Sequence, residues 1–599
     1  MLFSMPKLSR EPATFISVAS TEVRVEYAGW TVCIDAPLGR SRLPELERDA
    51  RHLITLLKAG DTSKLERSVF ESLFGGHFVA IAYDEARGQV FVLRDVAGAK
   101  TIYYADDGEK LFVGNVQSEV ARALPAAHIS VQSARMMMVL DHYLDGDTQY
   151  SEVSEVEMGT IMTTDRTGDL WPYLQFDLAL FERENGKIQP DNARLLHESI
   201  INAHERRIGA DNVVMLSGGI DSSVMLAALR AIVDGSRLRA VSFKMKGTNQ
   251  DETVYAAQLA NALDVPIEVI EVNPMDEEHF ASFEEDLLAM NSPYPGRFIY
   301  GNLAGGPDTV FFAGQDTRLH TPDLNRLDQV AFSLLPLQRN RLGRSLARGL
   351  VDHVLEPITS LRSNYAAAPR WRRGLYRAAL APDLDRYVQR FLFQIDETRW
   401  QALGIDDESA RHYAESVAIN CESVRNTRHL YNRVVARRWP TQYTDDMRYL
   451  QDLGRLNGTH VALPFYDIAL ARLSSGLPMD QTTRFVPGKG KFDARRTSVN
   501  KALLREAFRA ELPTDLLMRA KAVSNTQHLL YSGVMGRKIR AIMAADLARG
   551  AESIVRRLEV TDFVNKFMSM TEYRSEDEAF LNRVFRIAAM AHISRRFDT

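Results

Sequence analysis

The chain has little cysteine for its 599 residues, only Cys33 and Cys421, far apart and without a neighbouring His/Cys ligand pattern. That scarcity excludes a disulfide framework and a zinc site of the usual spacing, and predicts two buried apolar thiols. No run of about 20 apolar residues occurs, so no membrane-spanning helix is expected. The segment MLFSMPKLSREPATF meets proline and basic residues before a signal-peptide core could form, so a cytoplasmic location is expected. A strong excess of one charge is also missing: the net charge is -5, which excludes a protein-wide attraction to nucleic acid or an anionic membrane. Repeats and low-complexity tracts are absent, which sets solenoids aside.

What is present is ordinary globular material, 45% hydrophobic and 25% charged, in a chain too long for one core. From Thr14 to about Tyr104, short alternating apolar segments separated by turn clusters read as hairpins, with an intervening helix over Pro44 to Ala59. Residues 1–185 therefore read as an antiparallel, sheet-rich α+β domain. From 186 to 599, buried apolar runs that each end in small or polar residues alternate with helical segments, the pattern of a doubly wound parallel sheet. An Arg-rich helical insertion is expected over about 330–420. Its arginines read either as a solvated helix face or as a groove for an extended or acidic substrate.

The sharpest motif is Ser217-Gly218-Gly219-Ile220-Asp221-Ser222-Ser223, between the apolar strand Val213 to Leu216 and a helix over Val224 to Ala231. Two glycines permit a tight turn, and the free N–H groups at the start of the helix offer donors and a positive dipole end to phosphate oxygens. Ser217, Ser222 and Ser223 add hydroxyl donors. Asp221 would repel a polyanion unless a hard cation lay between them, which implies magnesium. The Gly-Lys-Ser/Thr ending of a γ-phosphate-handling loop is missing, so a kinase reading is disfavoured.

At these residues the chain resembles the pyrophosphate-loop enzymes of the asparagine synthetase type. The resemblance implies that the loop, from Leu216 through Ser223, holds the β,γ-pyrophosphate of ATP. A substrate carboxylate would attack the α-phosphate, and an amine would then attack the acyl-adenylate. It implies further that Ser242 and Phe243 of LRAVSFKM lie against the adenine, and that Ala313 and Gly314 of FFAGQD lead to Asp316, the partner of Asp221 on magnesium. Asp316 also reads as a turn cap. The segment KALLREAFRAELPTDLLMRAKAVSN resembles the closing segment of the family, whose Arg and Lys reach the phosphates. This points to Lys521, with Arg519 as a second candidate, although either also reads as a surface charge.

Residues 74–104 resemble the glutaminase (Ntn-type) domain of the same family. That glutaminase uses a cysteine right after the initiator methionine, where this sequence has Leu2, and Cys33 lies within a strand-like segment. Glutamine hydrolysis is therefore not expected, and the attacking amine should come from the substrate. GQDTRLHTPDLN (314–325) and NGTHVALPFYD (457–467) depart from the aspartate-recognising stretches, keeping Pro464, Phe465 and Asp467 of the second. GQDTRLHTP, the length and the degenerate amino-terminal domain resemble lasso peptide cyclases, or macrolactam synthetases. Such enzymes join an Asp or Glu side chain of a precursor peptide to its α-amine. The resemblance brings with it a leader peptidase and a leader-recognition protein as expected partners. Asp445 and Asp446 are candidates for a base, if one is needed, and also read as helix caps. A β-lactam synthetase-like or asparagine synthetase-like ligase, and a non-catalytic scaffold on the same fold, stay open as alternatives.

Overall fold

The computed structural model describes residues 1–176, 191–314, 405–478, 483–486, 497–517 and 526–598, with short breaks at 8–12, 18–20, 39, 145, 165–167, 249–250, 302, 420–422 and 425–426; Leu342 and Ser345 are also described.

The amino-terminal half contains two antiparallel sheets. One carries, in spatial order, Thr14–Ser17, Leu2–Pro6, Lys110–Gly114, Tyr103–Asp106 and Ser154–Glu155. The other carries Leu170–Gln175, Thr160–Thr164, Gln89–Arg94, Val79–Asp84, Trp30–Asp35 and Val23–Tyr27. Side chains alternate with the period of two that strands impose. Cys33, Ile81, Val90 and Val92 join Phe3, Leu111 and Val113 between the sheets. Val32, Ile34, Ala80, Ala82 and Leu93 point the other way, onto the helices Leu43–Ala59 and Thr62–Glu71. The expected helix from Pro44 is thus present, ended by Gly60 in the left-handed region (φ 63°). The expected hairpin half is a sandwich with helices on both outer faces, since Gln117–Ala123 and Val131–Leu140 pack with Leu2, Tyr103 and Phe112 on the far side of the first sheet.

The carboxy-terminal half is built on a parallel sheet in the order Ile267–Val272, Leu238–Met245, Asp211–Met215, Thr309–Phe312 and His460–Ala462. The chain works outward from its first strand in one direction and then returns to add two strands on the other side. The reversal falls between Asp211–Met215 and Thr309–Phe312, the position at which open α/β sheets bind ligands beyond the carboxyl ends of their strands. One face, with Val214, Leu216, Val310 and Phe312, packs on the helices Asn192–Glu205 and Ile220–Ile232. The other face, with Val213, Val241, Phe311 and Val461, shares one apolar cluster with the helices and outer sheet face of the amino-terminal half. Trp439, fully buried in that cluster, donates its indole N–H to the carbonyl of Ala97 at 2.7 Å.

The expected boundary near 185 lies outside the described residues. So does most of the Arg-rich stretch of about 330–420, from which Asp407–Ser416 is a helix capped by Asp406. No described helix is long and apolar enough to cross a membrane.

Candidate active site

The loop expected to hold phosphate leaves the strand Asp211–Met215 at Leu216 and enters the helix Ile220–Ile232, which starts four residues before the expected Val224. Leu216 still bonds the neighbouring strand, its N–H donating to the Val241 carbonyl at 2.8 Å. Gly218 has φ +69°, and a Cβ there would stand 3.1 Å from the Tyr255 Cβ and 3.2 Å from the Ala256 nitrogen. Positive φ and close approach of the helix Thr253–Ala262 together demand glycine at this position.

The three serines brace the turn. Ser222 Oγ accepts from the Ser217 N–H at 3.2 Å and donates to the Gly219 carbonyl at 3.1 Å, while Ser223 Oγ donates to the same carbonyl at 2.8 Å. Gly314, just past the strand Thr309–Phe312, comes so close that a Cβ would lie 3.1 Å from the Ser222 nitrogen. The switch point thus presses Gly314 against the backbone that opens the helix, while Ala313 donates its N–H to the Ala462 carbonyl at 3.1 Å.

Asp221 stands in the first turn of this helix and is clasped by Lys501, whose ammonium donates to both carboxylate oxygens at 2.7 and 2.6 Å. Lys501 precedes the short helix Ala502–Ala507 in the left-handed conformation, φ 58°. A non-glycine residue held there stores strain of the kind found at functional positions. Arg505, four residues on, donates to the Leu517 carbonyl. Burial lowers its pKa, against the opposing pull of Asp221. The loop therefore has a cation at its mouth that was not singled out from the sequence, although Lys501 opens the segment expected to reach the phosphates. Lys521 and Arg519 of that segment, and Asp316, lie outside the described residues.

Among the described residues no group of three His, Cys, Asp or Glu could hold a metal on protein ligands alone. The donor chemistry at Asp221 suits magnesium shared with phosphate oxygens, since that ion ordinarily takes one or two carboxylates and completes its shell from phosphates and water.

Ser242 is buried in the strand Leu238–Met245, and Phe243 meets the Tyr300 ring edge-on at 5.1 Å near the same end of the sheet. The two base candidates part company. Asp445 is buried, accepts from Arg448 at 2.7 Å and from Ser292 Oγ at 3.1 Å, and belongs to an ion network that crosses to the amino-terminal half. It is held as an ion-pair partner. Asp446 is half-buried, and its charge acts on Tyr294. Asp467 caps the helix Ile468–Ser475 through the Ala469 and Leu470 N–H groups and pairs with Arg207 at 3.0 Å. Cys33 is fully buried in its strand, and burial pushes its thiol up to about 12, which removes the thiolate a nucleophile needs.

Compared with known proteins, residues 196–591 match the asparagine synthase family and residues 63–173 the glutamine amidotransferase domain. A 253-residue region is 26% identical to the amidase chry2 of Gibberella zeae, covering 39% of this chain and 37% of that protein, so the chain spans little more than a third of the relative's length. Among solved structures, NMN synthetase from Francisella tularensis matches at 17% identity over 23% of this chain and 60% of that one, TM-score 0.17. Glutamine-dependent NAD+ synthetase from Acinetobacter baumannii, in complex with ADP, matches at 18% over 29% and 34%, TM-score 0.14. The glutamine phosphoribosylpyrophosphate amidotransferase of B. subtilis matches at 14% over 41% and 47%, TM-score 0.16.

Proposed function

Because the chain belongs to the asparagine synthase family, which it matches over 196–591, we propose that it is an ATP-dependent ligase that closes a macrolactam in a precursor peptide. An Asp or Glu side-chain carboxylate of the peptide attacks the α-phosphorus of ATP, forming the acyl-adenylate and releasing pyrophosphate. The peptide's α-amine then attacks the activated carbonyl and AMP leaves, so the peptide loses one water overall.

The observation that carries the phosphate chemistry is the loop Ser217–Ser223 set at a helix start, with Lys501 paired to Asp221 at its mouth. The helix N–H groups and dipole hold the leaving pyrophosphate, and a cation nearby offsets charge as the α–β bond breaks. Magnesium, when bound with ATP, would screen the phosphates from Asp221. The buried, unreactive Cys33 supports an amine drawn from the substrate itself. An α-amine of pKa about 8 is partly neutral at pH 7 and needs little help from a base. A leader peptidase and a leader-recognition protein belong to this proposal as partners that present the processed peptide.

The test is pyrophosphate release from magnesium-ATP with candidate peptides carrying a free α-amine and an internal Asp or Glu, combined with mass spectrometry of the peptide. Release together with loss of one water supports the cyclase. Release with ammonium or a small amino acid, and with no peptide, moves the chain to the other ligases of the family.

A further inference from the structure

The amino-terminal half reaches into the synthetase half with polar side chains, and they converge on one short segment. Gln117 donates its backbone N–H to Asn291 Oδ1 and its side-chain Nε2 to the Asn291 carbonyl, both at 2.9 Å. Asn291 Nδ2 donates to the Asn115 carbonyl at 3.0 Å, and Gln149 Nε2 donates to the Met290 carbonyl at 3.1 Å. The other side of the segment is held by the helix Thr444–Leu456: Asp452 accepts from the Asn291 and Ser292 N–H groups at 2.7 and 3.0 Å, and Asp445 from Ser292 Oγ. That helix is itself gripped from the amino-terminal half, where Glu155 takes Arg448 at 2.6 Å and lies 3.0 Å from Arg94. All these side chains are buried, and the charges of Arg94, Glu155, Arg448 and Asp445 balance.

From this clamp the chain runs directly into an aromatic wall. Tyr294 packs on Tyr449 with ring centroids 4.7 Å apart and accepts from Gln527 at 2.7 Å, and Tyr300 packs against Phe243. The wall stands at the carboxyl end of the sheet, beside the strand next to the phosphate loop. The shared apolar cluster already holds the halves together. Buried polar contacts add register, because a shift of the segment would leave desolvated donors, acceptors and charges unmatched.

We propose that the amidotransferase-like half serves as the positioning frame of the synthetase site: through Gln117, Gln149 and Glu155 it fixes residues 290–292, and with them the Tyr294–Tyr300 wall that faces Phe243. Gln117 and Glu155 are positioning residues, acting on ligands through that wall. The phosphate loop makes none of these contacts. It is braced within its own half by Gly314, Lys501 and the three serines. The inference rests on the loop being a nucleotide site, and it predicts that the two ends of that site respond separately.

The test uses the full chain with Gln117→Ala, Glu155→Gln and, as a control within the same half, Thr163→Ala, which removes hydrogen bonds to Val90 and Gln89 away from the clamp. Magnesium-ATP and magnesium-pyrophosphate are titrated by calorimetry, and amide exchange is followed over 290–300. Both clamp variants should raise the ATP Kd about fivefold or more with pyrophosphate binding within about twofold, since small misplacements of a positioning group cost that much and more. Exchange over 290–300 should quicken, and the control should do neither. If Glu155→Gln fails to fold, the neutral Gln117→Ala variant decides. Loss of ATP and pyrophosphate binding in parallel, the same pattern in the control, or unchanged exchange and binding would overturn the inference. The exchange measurement needs no nucleotide, so an unaltered chain that binds no ATP refutes the functional reading alone.

Discussion

Replacing Lys501 by Met removes the cation that holds Asp221, and the structure sets the scale of the loss. Both oxygens of the carboxylate lie within 2.7 Å of the ammonium, and the side chains are 12% and 25% exposed. A hydrogen bond between charged groups in such a setting contributes about 1.5–3 kcal/mol. Two unit charges 4 Å apart at an effective dielectric of about 20 interact by about 4 kcal/mol, and solvent reduces that here. An approaching triphosphate would therefore meet an uncompensated carboxylate, and ATP binding should weaken by about 2 kcal/mol or more, roughly 30-fold. Calorimetric titration of magnesium-ATP into the full chain measures this. Lys501→Arg keeps the charge and should stay within about tenfold of the unaltered chain. Adding Asp221→Asn to Lys501→Met removes the stranded carboxylate and, with ATP titrated in the absence of magnesium so that no metal ligand is lost, should restore about tenfold in affinity, a non-additive result expected of paired groups. Unchanged ATP binding in Lys501→Met, or a double variant no better than the single, would refute the reasoning.

Gly218→Ala puts a Cβ into the left-handed region against Tyr255 and Ala256. It should cost about 1–2 kcal/mol in stability, read by urea unfolding, and disturb the loop; a wild-type unfolding midpoint would show that the turn relaxes freely. His204 gives a pH prediction. Burial depresses its pKa to about 4 from 6.5, its ring lying against Phe312 and Phe465 with Nδ1 bonded to the Ile200 carbonyl at 2.7 Å. The folded pKa is below the unfolded one, so its contribution is fully present above pH 6.5 and is lost as pH falls toward 4, about 3 kcal/mol in all. His204→Phe should flatten the acid limb of stability between these values, and an unchanged slope would exclude His204 as its source. Asp95, raised to about 6 by burial, acts in the opposite sense and is common to both proteins.

The strand, turn and helix start of the candidate phosphate loop were legible because their signals are local: an apolar strand, two glycines, then hydroxyl and carboxylate side chains at a helix start. The strand Leu238–Met245 was legible for the same reason, as an apolar run with a clear end. Cys33 read correctly as a buried strand residue, since its neighbours alternate. Lys501 was not legible because the resemblance of its segment points to the basic residues at the far end, Arg519 and Lys521. A usable sign was present, a Lys and an Arg four residues apart at the start of an apolar helix. Asp445 was readable as an acid in the first turn of a helix, but not as an ion-pair partner. Its clamp depends on Glu155, 293 residues from Arg448 in the chain, and on Ser292, 153 residues from Asp445. Pairings at such separations leave no periodicity to read.

The two ends of the candidate site are therefore built by different means. The phosphate end follows from chain-local geometry, a turn that only glycine completes and a helix start that Gly314 touches, and it would survive small shifts between the halves. The wall facing Phe243 is set by contacts that cross the interface, and its shape depends on the sandwich being folded and docked. On the proposed reading, an amidotransferase-like half whose described cysteine, Cys33, is buried and unreactive is still required for catalysis, because it positions the wall of the synthetase site. Its buried polar side chains then act on the nucleotide through residues 290–292 and the Tyr294–Tyr300 wall, a requirement separate from any handling of glutamine.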